Sequence, residues 1–197
     1  EMAVRRDTAN VIAITEDLAF LQGSGTSNQP TGIINTSGIG EVLCATSGVT
    51  TNGGTPTFDD IMDTLYAIEA ANGVASGWIM NPRTKNTLRK IKDSQGNYIY
   101  NLPSPAVKEP PTLMGIPVLL TTQIPINLTV GSSTNCSYAV CGQFDEFIIG
   151  EKGGVEFAMD SSGAAFTAYQ TWIRAIERVD CGLRTPGVFA KLTGIRP

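Results

Sequence analysis

A chain of 197 residues with 42% apolar side chains can build one domain, or two small lobes on a shared core. Its net charge of −4 argues against electrostatic capture of nucleic acid or an anionic membrane, and with no histidine it can form no His-based triad, His general base or common zinc site. No apolar run approaches the ~18 residues that cross a bilayer.

The opening, "EMAVRRDTANVIAITEDLAFL", lacks the basic-then-apolar order of a secretory signal and starts inside a helical pattern. The chain therefore reads as a piece of a longer protein. Met2, Ala9, Ile12, Ala13, Glu16, Ala19 and Phe20 recur at helical steps, predicting a helix over 1–22. Gly23 and Gly25 stop it, and "PTGI" turns the chain. Residues 34–56, rich in Gly, Ser and Thr, read as a loop with one short strand near Val42–Ala45. Thr57 is a good N-cap for a helix that carries Asp59, Asp60 and Asp63 early, shows an Ile61, Leu65, Ile68, Glu69 stripe and ends at Gly73.

"GWIM" at 77–80 reads as a buried strand, and Asn81-Pro82 opens the next helix. The basic cluster Arg83, Lys85, Arg89, Lys90 and Lys92 on that helix reads as a solvated face. "DSQGNYIY" gives a turn and a short strand. The proline-rich run 101–115 reads as a projecting loop, "GIPVLLTTQIP" as a strand, and 123–135 as a second exposed loop. Three short β runs follow over 136–162. Residues 168–180 alternate like one long strand, and 188–193 form another. Trp78 and Trp172 sit on strand-like segments and read as core. The order of elements predicts an α+β fold with a mixed sheet.

Catalytic readings find little support. Gly23-Ser24-Gly25 follows a helix and lacks the Lys-Ser/Thr of a phosphate loop. No Gly-x-Ser-x-Gly elbow stands here, and a serine hydrolase would need a lysine base. The acidic pairs Asp59–Asp60 and Asp145–Glu146 suggest a carboxylate site, but capping explains the first. Cys44, Cys136, Cys141 and Cys181 are scattered and read as reduced, structural thiols. No cofactor or metal follows, and a structural or interaction role is favoured over an enzyme or a β-rich binding module.

Five blocks in order carry a resemblance. "AFLQGSGTSNQPTGI" resembles the Gly-x-Gly, Pro-x-Gly-Ile element ending the long helix of major capsid proteins of tailed bacteriophages. "GWIMNPRTKNTLRKIKDSQGNYIY" is similar to that family's Asn-Pro-Arg helix and the Lys-Asp-x-x-Gly-x-Tyr after it. "LMGIPVLLTTQIP" resembles its Gly-hydrophobic-Pro-Val strand. "AVCGQFDEFIIGEKGGVEF" resembles its hairpin region, with Gln143 and Asp145 departing slightly. "WIRAIERVDCGLRTPGVFAKLTG" resembles its closing strands.

The resemblance implies the Hong Kong 97-type capsid fold. A peripheral domain would comprise 1–33 and 165–197, a connecting loop and helix 34–77, and an axial domain 78–164. It implies a non-enzymatic subunit of pentamers and hexamers in an icosahedral shell, assembled in the host bacterial cytoplasm and enclosing double-stranded DNA that it contacts weakly. Portal, scaffold or protease partners come with the family. An encapsulin compartment shell is the alternative. The N-terminal arm and extended loop would precede residue 1, so this chain alone is expected to be a monomer or small oligomer. Candidate interface residues are Gly23, Gly25, Pro30 and Gly32 at the helix end, and Pro103, Pro105, Pro110 and Pro111 in the axial loop. Tyr169 and Ile176 fall near the family's crosslinking Asn and Glu positions without the needed chemistry, so no self-crosslinking is expected. A shift of one residue would place Glu177 in the Glu role.

Overall fold

The computed structural model describes residues 2–46, 49–92, 95–98 and 112–197. Helix α1 runs Met2–Gln22. Strands β1 (Gly40–Leu43), β2 (Ala45–Thr46) and β3 (Val49–Gly53) follow, then α2 (Phe58–Ala70), β4 (Gly77–Met80) and α3 (Pro82–Arg89). Next come β5 (Thr112–Leu113), β6 (Ile116–Leu120), β7 (Leu128–Val130) and β8 (Ser133–Gly142). The chain closes with β9 (Phe147–Glu151), β10 (Glu156–Asp160), α4 (Ala164–Thr167), β11 (Trp172–Ile176), β12 (Val179–Leu183) and β13 (Phe189–Ile195).

Local chemistry sets the helix starts. Thr57 caps α2 in a reciprocal box: its Oγ1 accepts from the Asp60 amide at 3.3 Å, and its own amide donates to Asp60 Oδ2 at 2.7 Å. Asn81 Oδ1 accepts from the Arg83 amide at 2.9 Å, with Pro82 on the first helical position of α3.

The main sheet has the order β1-β13-β8-β4-β6-β5, with β7 added to β8. The β1–β13 and β4–β6 pairs are parallel and the rest antiparallel, so the sheet is mixed as expected. Strand β8 lies at its centre, buried on both faces. Ala139 and Cys141 join Trp78, Leu192 and the α2 side chains Ile61 and Ile68 on one side. Tyr138 and Val140 join Leu21, Ile33 and Phe189 on the other. Burial on both faces explains why "SYAVCG" does not alternate in polarity. Strands β9–β12 lie off this sheet as two ribbons, β9 with β12 and β10 with β11.

Several expectations need correction. The closing segment does not stay together. Strands β11 and β12 belong to the ribbons, but β13 sits between β1 and β8 in the main sheet. The 34–56 stretch forms three strands, because β1 finds a partner in β13 and β2 pairs with β3, while Cys44 N donates to Thr193 O at 2.9 Å and Gly54 N to Gly194 O at 3.0 Å. The 123–135 stretch is only partly a loop. Ile124 is fully buried, and its carbonyl accepts from Asn81 Nδ2 at 2.8 Å. The long strand over 168–180 is broken at Glu177-Arg178 into β11 and β12. Trp78 is core, but Trp172 is 54% exposed on the β10–β11 ribbon. The α1 stripe reaches the core only near its end, where Leu21 is buried; Ala9 and Ala13 are exposed.

Candidate functional site

The helix end is built from backbone that passes very close to backbone. Gly23 N donates to Ala19 O at 2.8 Å, closing α1. The chain then makes a small hairpin: Gly32 N donates to Gly23 O at 2.9 Å, and Gly25 N to Pro30 O at 3.2 Å. Ser27 and Asn28 both have positive φ, 55° and 62°, as the central pair of a tight hairpin turn requires. Gly25 has φ 69°, and a Cβ there would strike Thr31 Oγ1. A Cβ on Gly23 would overlap Pro30 O, and one on Gly32 would lie 2.5 Å from Gly23 N.

Gly23, Gly25, Pro30 and Gly32 are thus brought together. Gly23 and Gly32 are buried within the chain, and the exposed part is residues 24–29 with Thr31. Pro103, Pro105, Pro110 and Pro111 lie outside the described residues.

Sequence reasoning missed three supports of this junction. Asn35 Nδ2 donates to the Gln22 and Gly23 carbonyls, both at 3.0 Å, satisfying acceptors that α1 leaves open. Gln22 Nε2 donates to Gln123 O at 3.0 Å, tying the helix end to the main sheet's loops. Cys181 Sγ donates to Thr31 O at 3.6 Å, tying it to β12. Each partner lies far away in sequence or depends on a side-chain direction, so no local pattern signals it.

An open cleft of about 780 Å³ separates the last turns of α1 from the β9–β12 ribbon. Leu18 and Ala19 line one wall; Gly150, Lys152, Glu177 and Val179 line the other. Glu177 Oε2 is buried there. The Glu16 carboxyl is held above its ordinary 4.5, first by burial, then by a hydrogen bond with and the charge of Glu177, with Glu151 and Asp17 adding. The folded chain therefore holds the Glu16 proton more tightly than the unfolded chain does. The cost of ionising Glu16 is absent below about pH 4.5 and sets in as pH rises through the raised folded value. Glu16→Gln is expected to raise Tm by roughly 1–3 °C near pH 7 and to leave it unchanged near pH 4. Calorimetry at the two pH values checks this, and a lower Tm near pH 7 would refute it.

Among the described residues no cluster of His, Cys, Asp or Glu suited to a metal ion is found. Burial pushes the Cys141 thiol up to about 12 and Cys181 to about 11, the direction that suppresses thiolate chemistry. Among the described residues no helix is long and apolar enough to cross a membrane.

The chain is similar to known shell proteins over its whole length. It is 28% identical to the major capsid protein of Klebsiella oxytoca phage phiKO2, across 99% of this chain and 47% of that protein. It therefore spans about half the length of that curated relative. A capsid subunit of the empty GTA particle, computed with C5 symmetry, superposes with a TM-score of 0.72 at 23% identity, covering 100% of this chain and 66% of the other. The SrpI encapsulin of Synechococcus elongatus PCC 7942 superposes with a TM-score of 0.64 at 12% identity, over 96% and 64% of the two chains. These likenesses fit the Hong Kong 97-type α+β fold inferred from the sequence blocks. The phage capsid family matches residues 1–194, and the chain belongs to it.

Proposed function

We propose that this chain is the shell-forming part of a major capsid protein of a tailed bacteriophage or prophage. It acts as a structural subunit, not an enzyme, in pentamers and hexamers of an icosahedral shell. The observation that carries the reading is the family match along nearly the full chain, ribbons and helix end included. The main sheet with α2 and α3 forms the axial part. Helix α1 and strands β9–β12 form the peripheral part, with the boundaries following strand pairing, so that β13 is axial. The exposed hairpin tip at 24–29 meets a neighbouring subunit, while Gly23 and Gly32 hold its shape from within.

The shell is assembled in the host bacterial cytoplasm and ends in the virion, with portal, scaffold or protease as further partners. The net charge of −4 makes the inner wall a weak binder of packaged DNA. The likeness to SrpI supports a second reading, an encapsulin compartment. Negative-stain electron microscopy of the full reading frame expressed in bacteria tests both. Uniform icosahedral shells are expected, with no host enzyme inside. Shells filled with host protein would move the assignment to an encapsulin. Small soluble particles from a correctly folded chain would overturn the shell role altogether.

A further inference from the structure

The sequence holds two Asn-Gly pairs, Asn52-Gly53 and Asn72-Gly73. An asparagine before glycine is prone to cyclise, because glycine leaves its own nitrogen unhindered and its backbone free to turn. The fold gives the two pairs different surroundings. Asn52 is half-buried in β3, and its Oδ1 accepts from the Ser132 amide at 2.8 Å. Gly53 is buried and pairs with Ala45, and a Cβ on it would lie 2.6 Å from Gly194 O. Freeing the Asn52 side chain means parting β3 from the turn between β7 and β8. Asn72 instead is exposed just past the end of α2, with φ 60°. That is the left-handed position after a helix, which asparagine tolerates. Its backbone is bonded, Asn72 N to Glu69 O at 2.8 Å and Gly73 N to Ile68 O at 3.0 Å. Its side-chain amide makes no hydrogen bond among the described residues. The attacking nitrogen, Gly73 N, is thus held by one bond at a helix end, and helix ends open far more readily than the interior of a sheet.

We propose that Asn72 is a site of spontaneous deamidation in the folded chain, and that the fold protects Asn52 although the same residue follows it. When the last turn of α2 opens, Gly73 N attacks Asn72 Cγ. A new C–N bond forms and the bond from Cγ to the side-chain nitrogen breaks. That nitrogen leaves as ammonia, carrying the proton that Gly73 N gave up. The cyclic imide then takes up one water. Opening between Cγ and the Gly73 nitrogen gives aspartate; opening at the main-chain carbonyl gives isoaspartate, with the chain now running through Cγ. Nothing is oxidised or reduced. Either product sets a carboxylate at the negative end of α2, close to Glu69. Isoaspartate also lengthens the backbone just ahead of Gly73, where a Cβ would already lie 2.8 Å from Val188 and 3.0 Å from Ile68. The modified turn therefore cannot keep the Gly73 bond to Ile68 O without moving the end of α2 off Val188.

The test incubates the intact chain at mildly alkaline pH, folded or in urea, and follows each site by chymotryptic mapping with mass and isoaspartate detection. Cleavage at Phe58, Tyr66 and Trp78 puts the two asparagines on separate peptides. In the folded chain Asn72 is expected to convert at least about five-fold faster than Asn52, while in urea the two rates agree within about two-fold. Asn72→Gly suits a positive φ and is expected to keep the fold by circular dichroism while abolishing the signal from that peptide alone. A folded-state ratio no larger than the ratio in urea would mean that both sites react only through the unfolded chain, and it would overturn the proposal. So would an Asn72 peptide that stays unmodified while the urea sample converts.

Discussion

Gly32→Ala is expected to destabilise the subunit by about 3–5 kcal/mol, lowering Tm by roughly 6–20 °C. Gly32 is buried, with φ −69° and ψ 162°, angles open to any residue. Its need for glycine is therefore one of space. A Cβ would sit 2.5 Å from Gly23 N, 2.6 Å from Gln22 N and 2.7 Å from Leu21 C. All three are backbone atoms of the α1 end, so no flexible side chain can swing away. Relief would require moving the helix end off the hairpin. That would break the Gly32 N to Gly23 O bond and disturb the two Asn35 bonds to the same turn. Gly182→Ala in β12 is the control: its Cβ meets nothing within 4 Å, and a change within about 0.5 kcal/mol is expected. Thermal and urea melts of the two variants decide it. Equal stability for Gly32→Ala and wild type would mean that the helix end does not pack as described.

Phe189→Ala is expected to cost about 3–5 kcal/mol, read as a lower urea midpoint. Phe189 is fully buried where β13 enters the main sheet, in the cluster with Tyr138, Val140 and Val188. Its ring meets Phe144 edge-on at 5.6 Å and 85°, and a Cβ on Gly142 would fall on its atoms. A ring clamped from several directions leaves a cavity that rigid strands cannot close. Phe166→Ala offers the contrast. Phe166, on α4, is 79% exposed, so its loss is expected to leave stability within about 0.5 kcal/mol. A small effect at Phe189 would contradict the central place of β13 in the sheet.

The two residues also mark how far a local sequence pattern reaches. Gly32 sits in a block whose meaning is legible: a helix ends, glycines follow, and a proline and a further glycine set the return. The Thr57 capping region, the Asn81-Pro82 helix start and the buried "GWIM" strand are legible for the same reason. Each depends on residues within a few positions of one another. Phe189 is legible as part of a strand but not as part of this sheet. Alternation over "VFAKLT" shows that a strand has two faces, yet it cannot say which strands lie beside it. The same gap hides β7, the burial of Ile124 and the hydrogen bonds from Asn35.

By itself, then, the sequence determined the class and the punctuation of the chain. It set α+β content, the helix starts and stops, the absence of histidine chemistry, and a block order that belongs to the phage capsid family. The tertiary structure alone decided which segments share a sheet and which surfaces remain uncovered. Trp78 and Trp172 show the difference: both lie on strands, but one is enclosed beneath α2 and the other is 54% exposed on a ribbon. Side-chain chemistry is the same in the two places. What differs is the neighbour that covers the strand, and that neighbour is supplied by long-range pairing.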